Sequence, residues 1–200
     1  MDTDTVWHHI DSERAWMADL LESLPPDAWE QPSLCEGWTV RDVGAHVTFA
    51  HTPVRDLLWP AIRAGFRYDT IVRDTALRSP LTHDEIVATL RGFVGSRRRV
   101  AFITDLDPLI DILVHNQDVC RPLGIDHPMP PDAAAAAADR VLSTPRPIRR
   151  WKPPHGSRLV ATDVDWTYGT GNDEVRAPMG SHLLTITGRQ TFREGRHPAV

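Results

Sequence analysis

Residues 107–124 read D-P-L-I-D-I-L-V-H-N-Q-D-V-C-R-P-L-G, and this stretch decides the fold. Leu109, Ile110, Ile112, Leu113 and Val114 make it apolar on nearly every side, the pattern of a helix buried among other helices. Asp107-Pro108 reads as an N-cap followed by proline in the first turn, and Gly124 can end the helix after Arg121. Four residues turn a helix by about 400° and raise it by about 6 Å, so Asp111 and His115 project from one face. An exposed Asp–His contact explains most pairs of this kind. Here the neighbours are apolar, and a buried carboxylate is costly without a partner.

Upstream, Thr39 reads as an N-cap with Asp42 as its reciprocal partner, a capping box with Asp in place of Glu. The helix it opens carries Val43, Val47, Ala50, Val54, Leu57, Leu58 and Ile62 on one side, and Pro53 is placed to kink it. His46 falls on this inward stripe; a lone histidine there is ordinarily a core residue bonded to one carbonyl. The first helix is expected from Asp4 to Leu24, with Val6, Ile10, Met17, Leu20, Leu21 and Leu24 at helical spacing and Pro25-Pro26 ending it. Thr82 with Glu85 forms a second capping box ahead of Ile86, Leu90, Phe93 and Val94. Pro130-Pro131-Asp132 opens a fifth helix that follows the alanine run to about Thr144.

These elements predict a mainly α fold: an up-and-down four-helix bundle over residues 1–144. Prolines 145, 147, 153 and 154 mark residues 145–157 as an extended linker. Residues 158–200 are expected to form a small α+β C-terminal domain. Its strands are placed at Arg158 to Asp163, Val164 to Tyr168 and Glu174 to Ala177, with a helix from Met179 to Thr187 closed by Gly188. Such a short segment cannot build a core alone and should dock against the helices.

Composition narrows the function. Of 200 residues, 41% are apolar and 24% charged, ordinary values for a soluble globular chain. The net charge of −5 offers no general attraction to nucleic acid or an anionic membrane. The alanine run 133–138 is far short of the ~20 apolar residues that span a bilayer. Met1 to Asp11 carries acids and no apolar block, so a secretory leader is not expected. Two cysteines, Cys35 and Cys120, make no disulfide framework, which suits a reducing cytoplasm.

The ten histidines invite a search for a metal. His46 with Asp111 and His115 makes a two-histidine, one-carboxylate set from two helices, with a coordination position left open as in catalytic centres. Zn²⁺, Ni²⁺ and Fe²⁺ all suit these donors, Zn²⁺ being the leading choice. Asp118, three residues past His115, can support that histidine or bind as a fourth ligand, but it reads first as a surface acid. Cys35 has no basic neighbour nearer than Arg41 and reads as a small apolar loop residue. Cys120 and His51 face away from the set; His8, His9, His83, His127, His155 and His197 read as solvated. Trp38 is expected to fix the entry to the second helix, and Trp166 to anchor a strand pair.

Pro32 to His46, P-S-L-C-E-G-W-T-V-R-D-V-G-A-H, resembles the first signature of the mycothiol-dependent maleylpyruvate isomerase family, one branch of the DinB-like metal-binding four-helix bundles. Asp111 to Gly124 resembles the second signature, and the run L-V-A-T-D-V-D-W with the later H-L-L-T-I-T-G-R resembles the small C-terminal domain of many members. The resemblance implies a divalent metal on His46, Asp111 and His115, where members commonly carry Glu at the carboxylate position. It also implies mycothiol as thiol cosubstrate, and an arginine, here Arg189, reaching the substrate. The expected function is therefore isomerisation or thiol transfer on a small electrophile. The expected partners are a small-molecule substrate and a thiol, with no nucleic acid or membrane, in a monomer or homodimer. Two rivals stand beside it: a non-catalytic DinB-like metal-binding protein, and a metal-free bundle in which Asp111 pairs with His115 or an arginine.

Overall fold

The computed structural model describes residues 1–51, 74–99, 104–144 and 156–189. They form α1 (Thr3–Ser23), α2 (Pro26–Trp29), α3 (Val40–Val47) with a 3₁₀ turn (Thr48–His51), α4 (His83–Phe93), α5 (Leu106–Cys120) and α6 (Pro131–Ser143). Strands β1 (Ser157–Ala161), β2 (Thr167–Tyr168) and β3 (Asp173–Ala177) and helix α7 (Met179–Ile186) complete them. The fold is mainly helical with one small three-stranded sheet. No helix among the described residues is long and apolar enough to cross a membrane. The chain divides into two compact units, Met1–His127 and Pro128–Val200.

In the first unit, local chemistry sets the helix starts. Asp2 caps α1 by accepting from the Thr5 amide. Both expected capping boxes are present: Thr39 with Asp42 at α3, and Thr82 with Glu85 at α4. Helix α5 differs, beginning at Leu106 rather than at Asp107-Pro108. The Asp107 carboxylate instead turns back to accept from the Thr104 amide and hydroxyl, both at 2.7 Å. The helix expected to run to Ile62 is α-helical to Val47 and 3₁₀ to His51; Pro53, Val54, Leu57, Leu58 and Ile62 lie outside the described residues.

One core joins α1 through Met17 and Leu21, α3 through Val40, Val43 and Val47, α4 through Ile86 and Leu90, and α5 through Ile112 and Val119. Gly44 lets α3 approach: a Cβ there would stand 3.2 Å from Leu21 Cδ1 and 3.3 Å from Ile86 Cγ2. A charge also lies inside. Arg14 is 2% exposed, its Nη1 donates to the Phe93 and Ser96 carbonyls, and the guanidinium stacks between Trp7 and Phe93.

In the second unit the sheet order is β2-β1-β3, with β2 antiparallel and β3 parallel to β1. Helix α6, grouped with the earlier helices in the sequence reading, falls in this unit and packs against α7. Trp166 stacks on Tyr168 two residues further along the same segment and donates from Nε1 to Asp139 of α6, so its side chain ties sheet to helix. Gly169, at φ 91°, shapes the turn into β3, and a Cβ at Gly171 would overlap the carbonyl oxygen of Gly156.

His182 of α7 is wholly buried, with Nε2 against the Val160 carbonyl at 3.0 Å. Burial lowers its pKa, while the Val160 bond and the charge of Asp163 oppose the change. The unfolded chain therefore takes up this proton more readily than the folded one. The contribution of His182 should be complete above about pH 6.5 and lost below it. Urea unfolding of the parent and a His182→Gln variant, compared between pH 7.5 and 5.5, should show the parent's advantage shrinking as pH falls. A constant difference would reject this assignment.

Candidate metal centre

The capping box at Thr39 fixes the start of α3, and two turns later His46 emerges from its last turn. Helix α5 packs beside α3 and presents Asp111 and His115 one turn apart. The three sequence-predicted residues meet: one donor atom from each lies within 4.8 Å of the other two. Asp111 Oδ1 stands 3.5 Å from His46 Nε2 and 3.4 Å from His115 Nε2. The two imidazoles cross at 73° with centroids 4.7 Å apart. Side-chain exposure rises from 8% at His115 through 17% at His46 to 36% at Asp111, so the set opens to solvent on the carboxylate side.

The spacing separates a hydrogen-bonded cluster from a ligand set. Bonded partners of these types stand about 2.7–3.2 Å apart. Two N or O ligands each about 2.1 Å from one tetrahedral cation stand about 3.4 Å apart. The distances from Asp111 to both histidines match the second case. A neighbouring group, Cys35 with His115 and Asp118, matches the first: Asp118 Oδ2 lies 2.8 Å from His115 Nδ1 and 3.1 Å from Cys35 Sγ. The donor set of His46, Asp111 and His115 thus fits a divalent cation, and the second group reads as its hydrogen-bonded support.

Electrostatics follow. Without a cation, desolvation would raise the Asp111 pKa, but the facing charge of His115, with weaker polar contacts at 3.4 and 3.5 Å from the His115 and His46 rings, holds it well below the usual carboxylate range. Burial would lower that of His115; the Asp111 charge, with hydrogen bonding to Asp111, Asp118 and Cys35, raises it well above an ordinary histidine instead.

Three sequence expectations are corrected. Asp118 is not a surface acid: it is 0% exposed and accepts from His115. Cys35 is not a passive loop residue, because its thiol donates to Asp118 beside His115. The Cys35 contact needed knowledge of which loop lies over α5, whereas the Asp118–His115 contact is one helical turn and only its burial escaped the sequence. Trp38, at the end of the same loop, packs its ring edge-on to His46 with centroids 5.3 Å apart. Cys120 is buried, and that burial, with the charge of Glu13, pushes its thiol up to about 12. Arg189 belongs to the second unit, where its Nη1 donates to the Thr187 carbonyl. His127 is not a solvated histidine either: it bonds Glu13 at 2.8 Å and stacks on Trp16.

Comparison with known proteins bears on this arrangement. Two solved structures resemble the chain, a mycothiol-dependent maleylpyruvate isomerase and a histidine-to-alanine variant of it, with TM-scores of 0.58 and 0.63. Each is 14% identical and is matched over 96% of this chain and 91% of its own, a likeness of fold. No curated protein sequence matches the chain. The sequence model described as "Mycothiol maleylpyruvate isomerase N-terminal domain" matches residues 10–108, a span that contains the Pro32–Trp38 loop, α3 and His46. By that match, residues 10–108 belong to the family of mycothiol maleylpyruvate isomerase N-terminal domains.

Proposed function

We propose that this protein is a metal-dependent enzyme that presents a low-molecular-weight thiol of the mycothiol type to a small electrophilic substrate, for isomerisation or thiol transfer. The observation that carries the reading is the ligand-like spacing of His46, Asp111 and His115, with Asp111 the most exposed of the three. What a divalent cation supplies when bound there is positive charge that lowers the pKa of a thiol, so that a thiolate exists near neutral pH. The chain's own residues set the stage for that chemistry. His46 and His115 present nitrogens from two packed helices, and Asp118 holds the far side of the His115 ring. Trp38 packs against the His46 ring and limits its orientation. The thiolate sulfur would attack an electrophilic carbon: addition to a conjugated double bond breaks its π bond and leaves a single bond that rotates before the thiolate is expelled, whereas displacement forms the new C–S bond as a leaving group departs with its bonding electrons. Arg189 is the candidate contact for an acidic group on the substrate, which a guanidinium grips with two parallel bonds.

Zinc- or cobalt-loaded protein assayed with mycothiol and a panel of small conjugated acids and alkylating electrophiles should show thiol-dependent turnover. Addition of the thiol should also change the visible spectrum of the cobalt form. Tight cobalt binding with no response to thiol, and no turnover, would favour a non-catalytic metal-binding protein. Failure to retain any divalent cation would remove the basis of the proposal.

A further inference from the structure

Among the described residues, Asp118 is the one fully buried carboxylate in contact with the centre, and it touches two elements at once. Its Oδ2 receives the His115 Nδ1–H at 2.8 Å. An imidazole whose Nδ1 is committed in this way presents Nε2 at its other end, and Nε2 is the atom that faces Asp111. The same oxygen receives the Cys35 thiol at 3.1 Å, and the Asp118 main-chain carbonyl receives the Leu34 amide, also at 3.1 Å. These two bonds tie the loop before α3 to helix α5. Ser33 reinforces the loop by donating from its amide and hydroxyl to the Trp38 carbonyl, both at 2.9 Å. Trp38 then abuts the His46 ring.

We propose that Asp118 is the positioning residue of the centre, aligning His115 directly through Nδ1 and His46 indirectly through the Leu34–Trp38 loop that it latches to α5. One carboxylate thus sets the direction of both imidazoles, although it is not itself among the ligand-spaced atoms. A side chain that merely filled space would need no acceptor facing both a ring N–H and a thiol. The inference rests on the metal reading only for its affinity consequence; the alignment of His115 stands apart from it. Cys35 is the second contributor, through the latch.

Two readouts test this on the full chain. In the metal-free protein, labelled at histidine nitrogen, His115 should show an Nδ1–H resonance protected from solvent exchange, and Asp118→Ala should abolish that protection. Asp118→Asn, nearly the same shape, serves if the alanine variant does not fold, and should speed the exchange. In cobalt titrations, removal of this acceptor should weaken binding by about 10- to 100-fold, with a smaller loss for Cys35→Ala. Equal exchange of the ring proton in parent and Asp118→Asn overturns the alignment of His115. Unchanged cobalt affinity in both Asp118→Asn and Cys35→Ala overturns the positioning role. A parent that binds no cobalt sinks the metal reading, and the ring-proton measurement still decides whether Asp118 holds His115.

Discussion

A His115→Ala protein should lose stoichiometric binding of divalent cations at neutral pH while remaining folded. Removing a hydrogen-bonded supporter of a metal ligand typically costs about 10- to 100-fold in affinity, so deleting one of three ligands should exceed that. His46→Ala and Asp111→Ala should behave alike, since each contributes one member of the ligand-spaced set. Asp111→Glu is the instructive contrast. It keeps the charge and the type of donor and adds one methylene of reach, so cation binding should survive. Elemental analysis after dialysis against trace cation, with circular dichroism for the fold, checks all four variants. Retention of one cation per chain by His115→Ala would place the site elsewhere.

A second large effect is expected 100 residues away in sequence and next door in space. Glu13 of α1 is buried, and its Oε2 accepts from Asn116 Nδ2 at 2.6 Å and faces His127 Nε2 at 2.8 Å. The His127 ring stacks on Trp16 at 3.5 Å, almost parallel, and the His127 carbonyl accepts from Gln117. Glu13→Ala takes the acceptor from the buried Asn116 amide and the half-buried His127 ring, and leaves Asn116 with only the weaker bond to the Glu13 carbonyl at 3.3 Å. Leaving such groups unpaired should cost about 3 kcal/mol of stability. Glu13→Gln keeps one acceptor and should cost less. Urea midpoints with unchanged slope give the measurement. A Glu13→Ala protein within about 0.5 kcal/mol of the parent, the range of an ordinary surface change, would show that the cluster holds nothing.

The contrast between these two sites explains what was legible in the sequence. Thr39 with Asp42 and Thr82 with Glu85 are local chemistry, and both helix starts could be read from them. Asp111 and His115 are one turn apart on an apolar helix, so their shared face followed from helical geometry. His46 joined them through its place on an inward stripe and through the signature around it. Cys35, Glu13 and His127 were misread or passed over for one reason, a partner 83 to 114 positions away, while for Asp118 the support of His115 was legible one turn off and the burial under the Cys35 loop was not. Periodicity reports which way a side chain faces, not what it meets. The start of α5 was missed by a smaller margin, because Asp107 looked like a cap for the residues after it while its bonds run back to Thr104.

The tight approach at Gly171 carries a lesson for anyone aligning relatives of this chain. Because any larger residue there would collide with the backbone at Gly156, glycine is enforced by crowding between two main-chain segments. Invariance in that column would mark the place where the chain squeezes past itself on the way into β3. Read as a catalytic fingerprint, it would send mutagenesis to a position that reports on folding yield and on no chemistry.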